Sequence, residues 1–166
     1  MEPFLHAIIP AIILLALYPK LKLKYILLLL PIVWFLDIEY ITNYHRFLFH
    51  NIFFVLLIAE VMYFAWNKKA FWISLYYGLS HLILDSGFPG NALFYPLNET
   101  TYYITASITR TSHWIVNFSI NTLTRAEFLA NQQSLEYITY ISEIPILILI
   151  LMVVILTIKL ISSRDP

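Results

Sequence analysis

A chain of 166 residues that is 60% hydrophobic and 12% charged is neither disordered nor collagen-like. Ten basic and ten acidic residues cancel, so no bulk attraction to nucleic acid is expected, and the lack of cysteine excludes disulfides, thiolate metal sites and a cysteine nucleophile. With a mean hydropathy of +0.76, the composition predicts an all-α fold, a polytopic transmembrane helix bundle forming one domain over residues 1–166.

Five apolar segments, 4–17, 23–36, 52–66, 71–84 and 144–161, are the expected spans. Several fall short of the roughly 20 residues a straight crossing needs and would borrow length from polar flanks. Lys20, Lys22 and Lys24 lie between spans one and two, Lys68 and Lys69 between three and four, and Lys159 and Arg164 after five. Basic residues favour cytoplasmic loops, so these places define the inner face of a multi-pass protein of the cell membrane. The N-terminus, the loop 37–50 and an extracytoplasmic insert, 87–143, then lie outside. Within that insert, Gly87, Pro89, Gly90 and Pro96 mark turns. The Thr, Tyr and Ile of 100–109 suit a strand or hairpin, and 125–141 reads as a helix leading into span five.

The ionisable residues are placed unevenly. His6 starts span one, Asp37 and Glu39 end span two, His45 and His50 flank the start of span three, and His81 and Asp85 end span four. His113 is in the insert. All fall on the same side of the expected bundle. His81 and Asp85, four apart, project from one helix face and offer a divalent ion two donors. The alternative is a structural histidine bonded to a carboxylate one turn away. Asp37-Ile38-Glu39 places two carboxylates on one side of an extended segment. His45 and His50 are badly spaced for one helical face, which predicts a bend before His50.

Taken in order, these motifs resemble those of the YdjM-like, LexA-binding, inner-membrane-associated family of metal-dependent hydrolases. The matching residues are His6, Asp37-Ile38-Glu39, His45-Arg46 with His50, and Gly78-Leu79-Ser80-His81-Leu82-Ile83-Leu84-Asp85, followed by Pro89-Gly90 and Tyr95-Pro96-Leu97. The match covers roughly the first hundred residues. Where the family has Asp-x-Asp-His this chain has Asp37-Ile38-Glu39-Tyr40, and Phe47 stands where the family has Gly after His-Arg. More distantly, the motifs are similar to those of zinc-dependent phospholipases C and related nucleases.

The expectation is a membrane-embedded, metal-dependent hydrolase of phosphoester or lipid substrates, with the lipid bilayer as its surroundings and no nucleic-acid partner. His6, Asp37, Glu39, His45, His50, His81 and Asp85 would hold one or two divalent ions, zinc first and manganese or iron next. Metal would lower the pKa of a bound water, Glu39 or Asp37 would accept its proton, and Arg46 would pair with phosphate. His113 would be a general acid if the insert folds over the site. The alternative is a non-enzymatic metal-binding, transport or partner-binding membrane protein.

Overall fold

The structure, a computed structural model, describes residues 3–42, 46–110 and 114–134. In chain order they form α1 (Pro3–Leu17), α2 (Leu23–Leu29), α3 (Ile32–Phe35), a 3-10 helix (Leu36–Thr42), α4 (Ile52–Ala65), α5 (Lys68–Leu84), β1 (Thr101–Arg110), β2 (Trp114–Leu123) and α6 (Arg125–Ser134).

Helix α5 is the axis. Its buried residues, Ala70, Ile73, Ser74, Tyr77, Gly78, His81 and Leu82, recur at alternating steps of three and one, which is the spacing of one helical stripe. Helix α1 brings Ala7, Ala11, Leu14 and Leu15 against it, and α2 and α3 add Ile26, Leu29, Ile32 and Val33. Helix α4 returns antiparallel to α5 on the small residues Ala59 and Gly78, with Val55 seated where a Cβ on Gly78 would stand. Asn67 starts α5 by accepting from the Lys69 and Ala70 amides. Tyr77 donates to the Ile26 carbonyl at 3.1 Å, serving one of the orphan acceptors at the end of α2.

The segment after α5 leaves the bundle. Beyond Gly90, whose φ of +90° and close approach to the Tyr102 carbonyl leave no room for a side chain, the backbone of Asn91 bridges Tyr102. This bridge is a one-residue third strand beside an antiparallel hairpin. In the hairpin β1 pairs with β2 from Thr101 opposite Leu123 to Arg110 opposite Trp114. The β-branched and aromatic composition of both strands favours this extended form. Thr124 and Glu127 form a capping box at the start of α6. Phe128 of α6 then closes a small second core with Phe47 and Ala92.

The transmembrane bundle does not stand. Among the described residues no helix is long and apolar enough to cross a membrane. The longest, α5, has 17 residues, about 26 Å at 1.5 Å per residue against roughly 30 Å of hydrocarbon. The expected second span is two pieces of seven and four residues, because Pro31 brings no amide to continue the ladder. The fold is helices plus an antiparallel sheet rather than all-α, and the multi-pass localisation and the sidedness assigned to 87–143 fall with the spans. The fifth expected span, 144–161, lies outside the described residues, as do His45 and His113.

Candidate metal centre

The buried stripe of α5 runs on to His81 and then to Asp85, which ends the helix by donating its amide to the His81 carbonyl. One apolar periodicity therefore packs the helix and delivers an imidazole and a carboxylate to the same buried spot. Asp37 reaches it from the 3-10 helix. His50 reaches it from the irregular stretch before α4, so the bend expected there is present. Asn51 holds that bend: its side chain accepts from the Phe54 amide at 2.8 Å and donates to the Leu48 carbonyl at 2.6 Å.

Asp37, His50, His81 and Asp85 each turn one donor atom inward, and the four donors lie within 4.8 Å of one another. His50 Nε2 is 3.0 Å from His81 Nε2 and 3.2 Å from Asp85 Oδ2. His81 Nε2 is 3.3 Å from Asp85 Oδ2. Asp37 Oδ1 stands 3.4 Å from His81 Nε2 and 3.7 Å from His50 Nε2. Donors at about 2.0–2.1 Å from a tetrahedral ion are roughly 3.3–3.4 Å apart. Five of the six separations bracket that figure, and the sixth, Asp37 to Asp85, lies within 4.8 Å. Two imidazole nitrogens facing each other at hydrogen-bond distance share at most one proton between them, and a cation removes that conflict. The group can therefore hold a metal ion.

Glu39 is fully buried but is not one of the four donors. It accepts from the amides of Arg46 and Phe49 and faces His50 Nδ1 at 2.5 Å. A carboxylate beside Nδ1 favours the tautomer that leaves Nε2 as a lone pair, the form in which histidine binds metal. The extended geometry expected for Asp37-Ile38-Glu39 is replaced by a 3-10 helix. At three residues per turn, positions two apart diverge. Asp37 consequently faces the histidines while Glu39 faces the loop. Arg46 adopts a left-handed φ of 67°, a strained value for a side-chain-bearing residue, and the bond from its amide to Glu39 helps to hold it there.

Arg46 is tied to the centre, its guanidinium 2.9 Å from Asp85 Oδ1 and 3.4 Å from the Gly87 carbonyl. His6 packs its ring 4.5 Å from that of His81 and places Nε2 3.3 Å from Asp85 Oδ1, beside the four donors rather than among them. Formally, Asp37, Glu39 and Asp85 bring three negative charges and Arg46 one positive, leaving a charge of two to be balanced. When only protons are present, His81 offsets part of it. Burial disfavours the imidazolium of His81, but hydrogen bonds to Asp37 and Asp85 outweigh burial and raise its pKa to about 9. Burial likewise disfavours ionisation of Asp37 and Asp85. Contacts to His81 and His50 still bring Asp37 below its ordinary value. Asp85 is held well below by His50, His6, His81 and Arg46.

Sequence reasoning passed over Asn51 and Asn91. Asn91 is buried and donates to the Leu82 carbonyl at 2.8 Å, fastening the segment after α5 to the end of that helix. Asn51 was readable as the cap residue before an apolar helical run. Asn91, in a loop, carried no such signal.

No family model, curated protein or solved structure matches the chain. Likeness to the YdjM-like hydrolases therefore rests on the motifs alone. The membrane-embedded hydrolase is not supported, because among the described residues no helix is long and apolar enough to cross a membrane.

Proposed function

We propose that this protein binds one divalent cation, zinc before manganese or iron, through Asp37, His50, His81 and Asp85. The ion clamps three separate parts of the chain: the 3-10 helix, the bend before α4 and the end of α5. The observation that carries this reading is the set of five separations of 3.0–3.7 Å among four donors contributed by those parts. Mixed nitrogen and oxygen donors suit zinc. Four protein ligands complete a tetrahedron, which is the closed form typical of structural zinc sites rather than the open form of catalytic ones. In this reading Glu39 sets the tautomer of His50, and Arg46 and His6 hold Asp85 in place.

Metal analysis of purified protein after exposure to zinc, manganese and iron tests the proposal. One equivalent of bound metal, mostly zinc, is expected, with X-ray absorption reporting nitrogen and oxygen neighbours at about 2.0–2.1 Å. His81→Ala and Asp85→Ala are expected to lose the ion. A wild-type protein that retains no divalent metal refutes the proposal, as does one whose metal survives both substitutions.

A further inference from the structure

The opposite end of α5 carries a second feature, independent of the metal centre. A cavity of about 840 Å³ opens between the end of α1, the turn that follows it and the first turns of α5. Its volume falls in the range of small-molecule sites, roughly 300–1,000 Å³. Leu17, Leu21, Trp72 and Ile73 wall it, and Lys20 and Lys69 belong to its lining. Leu17 and Trp72 stand 67% and 57% exposed, apolar surface that an occupant would cover. Tyr76, the lining residue of α5 nearest His81, is five residues before it, about 8 Å along the helix, and the cavity shares no residue with the metal centre.

Charge identifies the occupant. No acidic residue occurs between positions 3 and 36 or between 61 and 84, whereas Lys20, Lys22, Lys24, Lys68 and Lys69 all fall in those stretches. The acids that pair within the bundle, Asp37, Glu39 and Asp85, are gathered at the metal end. Among the described residues neither Lys20 nor Lys69 forms an ion pair with a carboxylate of this chain. Lysine lays its methylene stem on apolar surface and keeps its ammonium at the polar boundary. An apolar cavity with two lysines in its lining matches a molecule with a hydrocarbon tail and an anionic head.

We propose that this cavity binds one single-chain anionic amphiphile, its tail against Leu17, Leu21, Trp72 and Ile73 and its carboxylate or phosphate head between Lys20 and Lys69. The head gains charge-assisted contacts with both ammonium groups, and the tail covers the exposed walls.

Titration of the full-length protein with four twelve-carbon probes below their micelle concentrations provides the test: dodecanoate, dodecyl phosphate, dodecanol and dodecyltrimethylammonium. Saturable one-to-one binding of both anions is expected, at least tenfold tighter than of the alcohol or the cation. A tighter complex with the phosphate identifies a phosphomonoester head, which carries about 1.5–2 negative charges at pH 7; equal affinity identifies any anionic head, fatty acids included. Lys20→Glu with Lys69→Glu is expected to weaken anion binding at least tenfold and leave the alcohol unchanged. Both lysines are exposed, so the fold is retained, and an unaltered circular dichroism spectrum and metal content confirm it. Leu17→Gln, also at an exposed position, puts a polar amide on the tail wall without changing charge and is expected to weaken all four probes. A brominated chain is expected to quench the wild-type fluorescence, and Trp72→Phe to remove most of that quenching. Binding that is non-saturable, indifferent to head charge, or unaffected by lysine reversal overturns the proposal.

Discussion

Asp85→Asn keeps the shape of the side chain and removes its charge. Asp85 Oδ2 faces both imidazole donors at 3.2 and 3.3 Å, while Oδ1 holds Arg46 at 2.9 Å and His6 at 3.3 Å. The substitution takes one of four ligands and half of the unbalanced negative charge. Loss of a partner outside the ligand shell costs a metal site about 10–100-fold in affinity, so loss of a ligand is expected to cost at least ~100-fold. With metal at a thousand times the wild-type Kd, binding stabilises the wild type by about 4.1 kcal/mol. The variant, then at ten times its own Kd, gains about 1.4 kcal/mol. The difference of about 2.7 kcal/mol corresponds to a loss of roughly 5–11 °C in the metal-induced rise of Tm for a chain of this size. Thermal melts of both proteins, each with excess zinc and with chelator, measure it as a difference of differences. The reasoning fails if zinc raises both Tm values equally, or if the wild-type Tm ignores both zinc and chelator.

Glu39→Gln leaves all four donors in place but replaces the carboxylate beside His50 Nδ1 with a neutral amide, and is expected to weaken zinc binding about 10–100-fold, read by competition with a chromophoric chelator. The raised pKa of His81, about 9, gives the metal-free protein stability that is fully present below the ordinary histidine value of 6.5 and lost as pH rises through 9. That loss is at most ~3 kcal/mol, seen as a falling Tm in chelator between pH 6.5 and 9. Zinc affinity should rise over the same interval, because the ion displaces the His81 proton. Gly78→Ala would put a Cβ 2.6 Å from Cγ1 of the buried, stiff Val55. An overpacking cost of about 1–3 kcal/mol exceeds the ~1 kcal/mol gain in helix propensity, so Tm should fall. Val55→Ala in the same chain should restore part of the loss, and chemical denaturation of the single and double variants would report it.

Local signals in the sequence carried further than global ones. His81 and Asp85 were legible as a pair because helical periodicity alone places residues four apart on one face. The crowding of His6, Asp37, Glu39, His50, His81 and Asp85 beside segment ends was likewise visible without coordinates. Composition misled about helix length, since apolar content does not show where a helix is interrupted. Pro31 splits the second segment, and α5 supplies the protein surface against which the others bury their stripes.

The sequence by itself determined which residues could serve a cation and that no thiolate was among them, because residue type and spacing are local properties. Only the tertiary structure decided that Asp37 faces Nε2 of the two histidines while Glu39, two residues on, faces Nδ1 of His50 and the loop amides. That division depends on the turn angle of a 3-10 helix and on where α5 and the bend before α4 meet. Such a meeting is set by packing across more than thirty residues of intervening chain, a distance over which no sequence pattern reports orientation.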